Sequence, residues 1–408
     1  MANAPAIQTA FAPDSSRSWI RLAICVALSA IGGVGMWSVV VTLPTVQADF
    51  GVARADASTP YTVLMISFAF GGVLMGRIVD RRGVAPALVV SALLLGTGYV
   101  LSALTHNFLL FILCQGVLVG AGASASFGPL VADISMWFER RRGIAVAICA
   151  AGNYVAGMIW PPLVQYFLDK SGWRATHIGI GLFCAVAIPA LAWLLRDRRG
   201  VATASAAAAS WRPSADSSLS PRTVQVLLTV AGVACCVAMS MPQVHIVAYC
   251  GDLGYGPARG ADMLSLMLGF GIISRVASGF VADRIGGVYT LLIGSFLQGV
   301  ALLLYILFDG LIALYVISAL FGLFQGGIVP SYAIIVREYF DPREAGSRIG
   351  IIIMATLFGM AFGGWVSGVI FDVTGGYKAA FVNGLLWNLV NVSIVSFMIL
   401  RRNRAATA

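Results

Sequence analysis

The chain has 408 residues, of which 59% are hydrophobic and only 11% charged, whereas a soluble domain carries about 25% charged residues. So few charges exclude a water-covered globular surface, so the chain is read as an all-α membrane protein solvated mostly by lipid. The net charge of +9 does not point to nucleic acid, because the basic residues gather in alternate loops, as membrane topology requires.

In chain order, residues 1–18, with Pro5, Pro13, Ser15 and Ser16, read as a short disordered tail. They are not a cleavable leader, since the apolar run that follows is too long and lacks a cleavage site. Apolar segments then predict spans at about 19–44, 57–79, 84–105, 107–134, 143–167, 174–196, 222–249, 258–281, 287–307, 309–336, 347–370 and 376–400. Trp19 to Pro44, Phe108 to Val131 and Leu311 to Val336 each exceed the ~20 residues that cross hydrocarbon. Trp160-Pro161-Pro162 is expected to break span five locally. The one long connection, Arg196 to Arg222, is rich in Ala and Ser with two prolines and reads as a flexible linker. The expected organisation is a tail (1–18), a six-helix bundle (19–196), a linker (197–221), a second six-helix bundle (222–400) and a tail (401–408).

Twelve spans put both termini on one side. Twenty of the 26 basic residues lie in the segments on that side and five (Arg54, Lys170, Arg174, Arg259, Lys378) in the opposite loops. This asymmetry predicts an inner-membrane protein with both termini in the cytoplasm. The seven cysteines sit almost all inside apolar runs without a Cys-x-x-Cys spacing, and read as small buried hydrophobes.

The halves repeat. Gly76-Arg77-Ile78-Val79-Asp80-Arg81-Arg82-Gly83 recurs as Gly279-Phe280-Val281-Ala282-Asp283-Arg284-Ile285-Gly286, an offset of 203. Trp137-Phe138 up to Gly143 recurs as Tyr339-Phe340 up to Gly346, and Asp169 with Gly172 recurs as Asp372 with Gly375. A duplicated six-helix unit is an architecture of alternating-access carriers.

The Gly-x-x-x-Asp-Arg-x-Gly block after spans two and eight, with the span count and central linker, resembles the major facilitator superfamily over nearly the whole chain. A finer resemblance is to the monocarboxylate transporter and oxalate–formate antiporter group. It rests on Gly35-Met36-Trp37-Ser38, Leu43-Pro44, Asp49-Phe50-Gly51, the Trp137 to Ala145 loop, and Gly271-Ile272-Ile273-Ser274-Arg275. The resemblance implies that Arg275 binds the substrate carboxylate. The chain departs from animal monocarboxylate carriers at Thr45, where they have lysine, and at Gly271, where they have an acid. It also lacks the second cationic residue that the oxalate exchanger carries in span eleven, which argues against a dicarboxylate.

The residues give their own reading. Arg275 lies eight positions before Asp283, roughly 12 Å above the loop. A guanidinium there costs at least ~2.5 kcal/mol on insertion scales and needs a cavity and a partner. Its planar fork suits a small organic anion. The competing reading is an ion pair with Asp262, or a side chain reaching back to the loop. His245 and Asp252, two turns apart, are candidates for proton coupling, against a structural role for His245 or a loop position for Asp252. Asn153 and Tyr154 in span five and Gln325 and Tyr332 in span ten are candidate cavity polar groups, or helix glue. Asp80, Arg81, Asp283 and Arg284 are candidates for a conformational charge network, or mere topology charges, and Asp133 is expected to join that network rather than touch substrate. Gly116, Gly120 and Gly122, then Gly359, Gly363 and Gly364, read as small faces for close helix packing.

No catalytic constellation, metal cluster or cofactor loop stands out. The expectation is therefore a monomeric secondary carrier for a monocarboxylate such as lactate or pyruvate, with proton symport and without cofactor or nucleic-acid partner. The rivals are a drug or metabolite exporter of the same fold and a membrane sensor.

Overall fold

The computed structural model describes residues 14–196 and 219–407. The expected linker and the first tail therefore fall largely outside the described residues. Every described span is helical, as hydrocarbon demands of a backbone that cannot bond to water. The helices are α1 (Ser16–Phe50), α2 (Arg54–Arg82), α3 (Val84–Leu104), α4 (Phe108–Ser135), α5 (142–171), α6 (173–194), α7 (Pro221–Asp252), α8 (Pro257–Ile285), α9 (Gly287–Leu307), α10 (Leu311–Tyr339), α11 (Pro342–Thr374) and α12 (Lys378–Thr407).

Helices α5 and α6 run together as Arg142–Leu194 except at Gly172, whose φ of 74° and ψ of 168° are non-helical. An L side chain is strained at that φ, so glycine marks the reversal. The turn restores the expected twelve spans. Most helices outrun the apolar stretches that announce them, since hydropathy marks the hydrocarbon and not the turns that continue into the interface. Some starts carry side-chain caps. Asn107 Oδ1 accepts from Leu110 N–H at 3.1 Å, and Ser220 Oγ accepts from Thr223 N–H at 3.2 Å just before Pro221.

Helices α4 and α10 are both interrupted. α4 contains a π-helical stretch, Leu113–Val119, and breaks at Phe127. α10 breaks at Gly326 and Gly327, between Leu311–Gln325 and Ile328–Tyr339. Close approach explains the glycines. A Cβ on Gly120 would lie 2.7 Å from the Leu64 carbonyl oxygen of α2, one on Gly359 2.6 Å from that of Val233 in α7, and one on Gly322 1.9 Å from that of Met267 in α8. The small faces expected from sequence are therefore packing faces.

The expected break at Trp160-Pro161-Pro162 does not occur, because α5 stays helical through both prolines. Pro162 removes the bond to the carbonyl of Met158. Ser265 Oγ of α8 donates to that freed oxygen instead, which is how membrane helices tolerate proline. All seven cysteines are free and buried, and large apolar side chains such as Phe280 and Ile312 face outward where lipid would cover them.

Two seams join the halves. α2 packs along α11, and α5 along α8. Both matter for the site.

Candidate transport site

We call the side holding both chain ends the terminal face and the other the far face. At mid-depth, Arg275 on α8 is half-buried at the α5–α8 seam. Its Nη1 donates to the Ala150 carbonyl at 3.0 Å, its Nε to the Gly326 carbonyl at 3.4 Å, and its guanidinium lies 4.3 Å from the centre of the Tyr154 ring. Among the described residues no carboxylate pairs with it. Asp262 is instead engaged by Arg259 at 3.9 Å and Tyr315 Oη at 3.3 Å, so the structural pair considered from sequence does not form. Carbonyls and a ring face orient the cation but leave its charge uncompensated. A guanidinium so placed can bind an anion.

Tyr154 also accounts for the glycine at position 271. A Cβ there would meet the Tyr154 ring at 2.3 Å, so this ring occupies the space an acidic side chain would need. Asn153 lies beside Tyr154, its carbonyl accepting from Trp37 Nε1 at 3.3 Å and its Nδ2 contacting Met36 Sδ at 3.8 Å. Gln325 is buried and accepts from Gln243 Nε2 at 3.0 Å, while its own Nε2 has no partner. Arg275 and Tyr154 thus share the inter-half seam, with Gln325 just before Gly326, while the contacts of Asn153 run to α1 within the first half. Tyr332 is not brought to them: it is buried within the second half, donating to Asn391 Oδ1 at 3.4 Å.

On the far face, the first residue of α2 reaches into the second half. Arg54 Nη1 donates to Tyr377 Oη at 2.9 Å and Nη2 to Asp252 Oδ1 at 3.1 Å, with the guanidinium 4.5 Å over the Phe371 ring. The Arg54 and Ala55 backbone N–H groups donate to Asp372 at 2.9 and 2.8 Å. A carboxylate from one half thereby caps a helix start in the other, satisfying donors that have no partner inside the helix. His245 lies one layer deeper. Its Nε2 bonds the Gly364 carbonyl at 2.8 Å and its Nδ1 the Tyr377 hydroxyl at 2.9 Å. His245 and Asp252 are therefore joined through Tyr377 and Arg54. The sequence reading missed Arg54 and Tyr377. The available signal was one arginine opening a span on a face otherwise poor in cations, opposite the repeated Asp372.

The terminal face is different. Asp133 makes a two-pronged bond with Arg21, at 2.7 and 2.8 Å, with side-chain exposures of 7% and 5%. Arg21 also donates to the Leu195 carbonyl at 3.1 Å and lies 4.3 Å from the centre of the Trp137 ring. All of these groups belong to the first half. Asp80, Arg81, Asp283 and Arg284 are exposed and, among the described residues, unpaired.

A chain of twelve apolar helices in two repeated halves, with a charge at the seam between them, has the form of a membrane carrier. The sequence profile of the Major Facilitator Superfamily matches residues 23–311 and 261–408, and the chain belongs to that family. It is a multi-pass membrane transporter rather than an enzyme. Among characterised relatives, it is 26% identical over 315 residues to monocarboxylate transporter 13 of Rattus norvegicus, covering 77% of this chain and 73% of that one. It is 24% identical over 379 residues to monocarboxylate transporter 4 of Gallus gallus, covering 91% and 80%. In fold it matches a mutant of the nucleoside transporter NupG with a TM-score of 0.73 at 13% identity, over 93% of this chain and 99% of that one. A bacterial homologue of the human lysosomal transporter Spinster matches at 0.66 and 13%, over 96% of each chain.

Proposed function

We propose that the protein is a secondary carrier that moves a small monocarboxylate, of the lactate or pyruvate kind, across a bacterial inner membrane by alternating access coupled to protons. The observation that carries this reading is Arg275, a guanidinium at the seam between the halves with two carbonyls and a ring around it and, among the described residues, no carboxylate. A small organic anion supplies the missing charge, and Tyr154, Asn153 and Gln325 line its surroundings. The relatives that transport monocarboxylates support the substrate class.

Both termini are assigned to the cytoplasm on the twenty-to-five split of basic residues. The far face is then periplasmic, and the conformation is one closed to the outside by the Arg54 contacts. The two six-helix bundles, 19–196 and 222–400, rock against each other, and a single copy of the chain suffices. His245 and Asp252 are the proton-coupling pair, and Asp80, Arg81, Asp283 and Arg284 form the network that closes the terminal face in the opposite state. Asp133, expected in that network, is read instead as a brace within the first half through Arg21.

The test is uptake of labelled lactate and pyruvate into proteoliposomes, with and without an inward proton gradient, for wild type and Arg275→Ala. Gradient-driven uptake that vanishes in the variant is expected. Full uptake by Arg275→Ala would overturn the role of the guanidinium and favour an exporter of less polar compounds, while no uptake by wild type would overturn the substrate class.

A further inference from the structure

We propose that Arg54 is the positioning residue that holds the far face shut, and that its grip is released when the His245 imidazole gains a second proton. This inference rests on the proton-coupled reading above and deepens it. The geometry fixes a direction for each hydrogen bond. The Gly364 carbonyl can only accept, so His245 Nε2 carries a hydrogen and donates to it. In the neutral ring Nδ1 is then an acceptor, and it takes the Tyr377 hydroxyl hydrogen. Because that hydrogen is engaged by His245, the Tyr377 oxygen is free to accept from Arg54 Nη1. Neutral His245, Tyr377 and clasped Arg54 form one consistent chain of donors and acceptors.

A proton added at Nδ1 breaks that chain. Nδ1 turns from acceptor to donor, the Tyr377 hydrogen loses its acceptor, and a second cation appears one hydroxyl away from Arg54. The charged and titratable groups facing the imidazole are Arg54 from α2, Asp372 from the end of α11, Tyr377 from the turn before α12, and Tyr249 and Asp252 along its own helix. Only Asp252 and Asp372 can offset the added charge. Both are already committed to Arg54, through its guanidinium and its backbone N–H. Protonated His245 and clasped Arg54 therefore compete for the same two carboxylates.

Two further features fit a gate rather than a static brace. Arg54 is nine-tenths buried yet its Nε has no partner among the described residues, so the fork is held by two contacts and not saturated. Beside it a cavity of about 580 Å³, lined by Tyr249, Asp252, Asp309, Phe371, Tyr377 and Lys378, among others, lies on the far face and gives water, and so protons, an approach to Tyr377. The Tyr249 hydroxyl borders this cavity, also without a partner.

The test reads gate opening without any substrate. Ser58 is fully buried on α2, just inside the clasp. A Ser58→Cys reporter in nanodiscs is labelled with a membrane-impermeant maleimide between pH 8 and pH 5, its rate normalised to Gly310→Cys at an open far-face position. Acidification should raise the normalised rate by roughly 5- to 150-fold, the usual range of coupling between two sites. His245→Gln keeps an N–H donor but cannot gain a charge, so the pH response should vanish. Arg54→Gln should label fast at both pH values. Arg54→Lys keeps the charge without the fork. It should open the gate partway and keep the pH response, which covers the case of Arg54→Gln failing to fold. Slow labelling of either Arg54 variant at every pH would overturn the clasp, and a surviving pH response in His245→Gln would overturn the coupling. Failure of lactate uptake leaves this test untouched, and the reverse also holds.

Discussion

The two faces of the carrier use their charges differently. On the far face two ionic contacts cross between halves, Arg54 with Asp252 and Asp372 with the α2 start, while Arg174–Asp49, Arg259–Asp262 and Lys378–Asp309 stay within one half. On the terminal face the buried ion pair, Arg21–Asp133, stays within one half, and the repeated Asp80 and Asp283 stand unpaired among the described residues. Pairs that stay within a half set the stability of that half in every conformation. On the alternating-access reading proposed above, pairs that cross set the balance between conformations. A charge therefore has to be judged by which boundary its bonds cross, and not by depth or burial alone.

The stabilising role should show most strongly at Asp133. Its removal strands a buried arginine, a change that costs about 3–5 kcal/mol in comparable sites. Asp133→Ala should therefore lower unfolding stability in detergent by that amount while leaving Ser58→Cys labelling in surviving protein unchanged. A shift in labelling with intact stability would reverse the assignment and make Asp133 part of the gate.

Asp372 sharpens the comparison from the other side. Losing a helix-capping side chain costs about 0.5–2 kcal/mol, here falling wholly on the closed state because the cap comes from the opposite half. Asp372→Ala should raise far-face labelling roughly two- to thirtyfold, with little change in unfolding stability. The repeat mate gives the control. Asp169 accepts from Gln165, four residues earlier on its own helix, at 2.9 Å, so Asp169→Ala should leave labelling near the wild-type rate.

The same distinction explains what could be read from sequence. The twelve spans and the duplication were legible because lipid imposes them on every residue of a segment, and an error at one position is averaged away. The placement of Arg275 at a helix seam was legible because a charge in hydrocarbon has few solutions. Tyr332 and the facing of Gln325 were not, since a lone polar group in a helix packs as readily into its own bundle as into a cavity, and Tyr332 does the former with Asn391. Arg54 and Tyr377 escaped notice because their importance lies in meeting across the halves, which no single helix pattern encodes. The prolines of α5 misled for a similar reason: the donor that repairs the helix, Ser265, belongs to α8.

The smallest effect is expected where the sequence motif is strongest. Asp80 and Asp283 head the repeated block, yet they are exposed and unpaired among the described residues here. Surface substitutions away from contacts change stability by about 0.5 kcal/mol or less, so Asp80→Asn and Asp283→Asn should leave unfolding unchanged. Their work, on the reading proposed above, belongs to the state with the terminal face closed. The variants should make that state rarer, keeping far-face labelling slow even at pH 5 and reducing net transport. A cysteine at Gly76, which faces open space on the terminal side of α2, should in turn label as fast in both variants as in wild type at pH 8. If the aspartate variants instead speed far-face labelling, the aspartates brace the present conformation, and the contrast between the two faces fails.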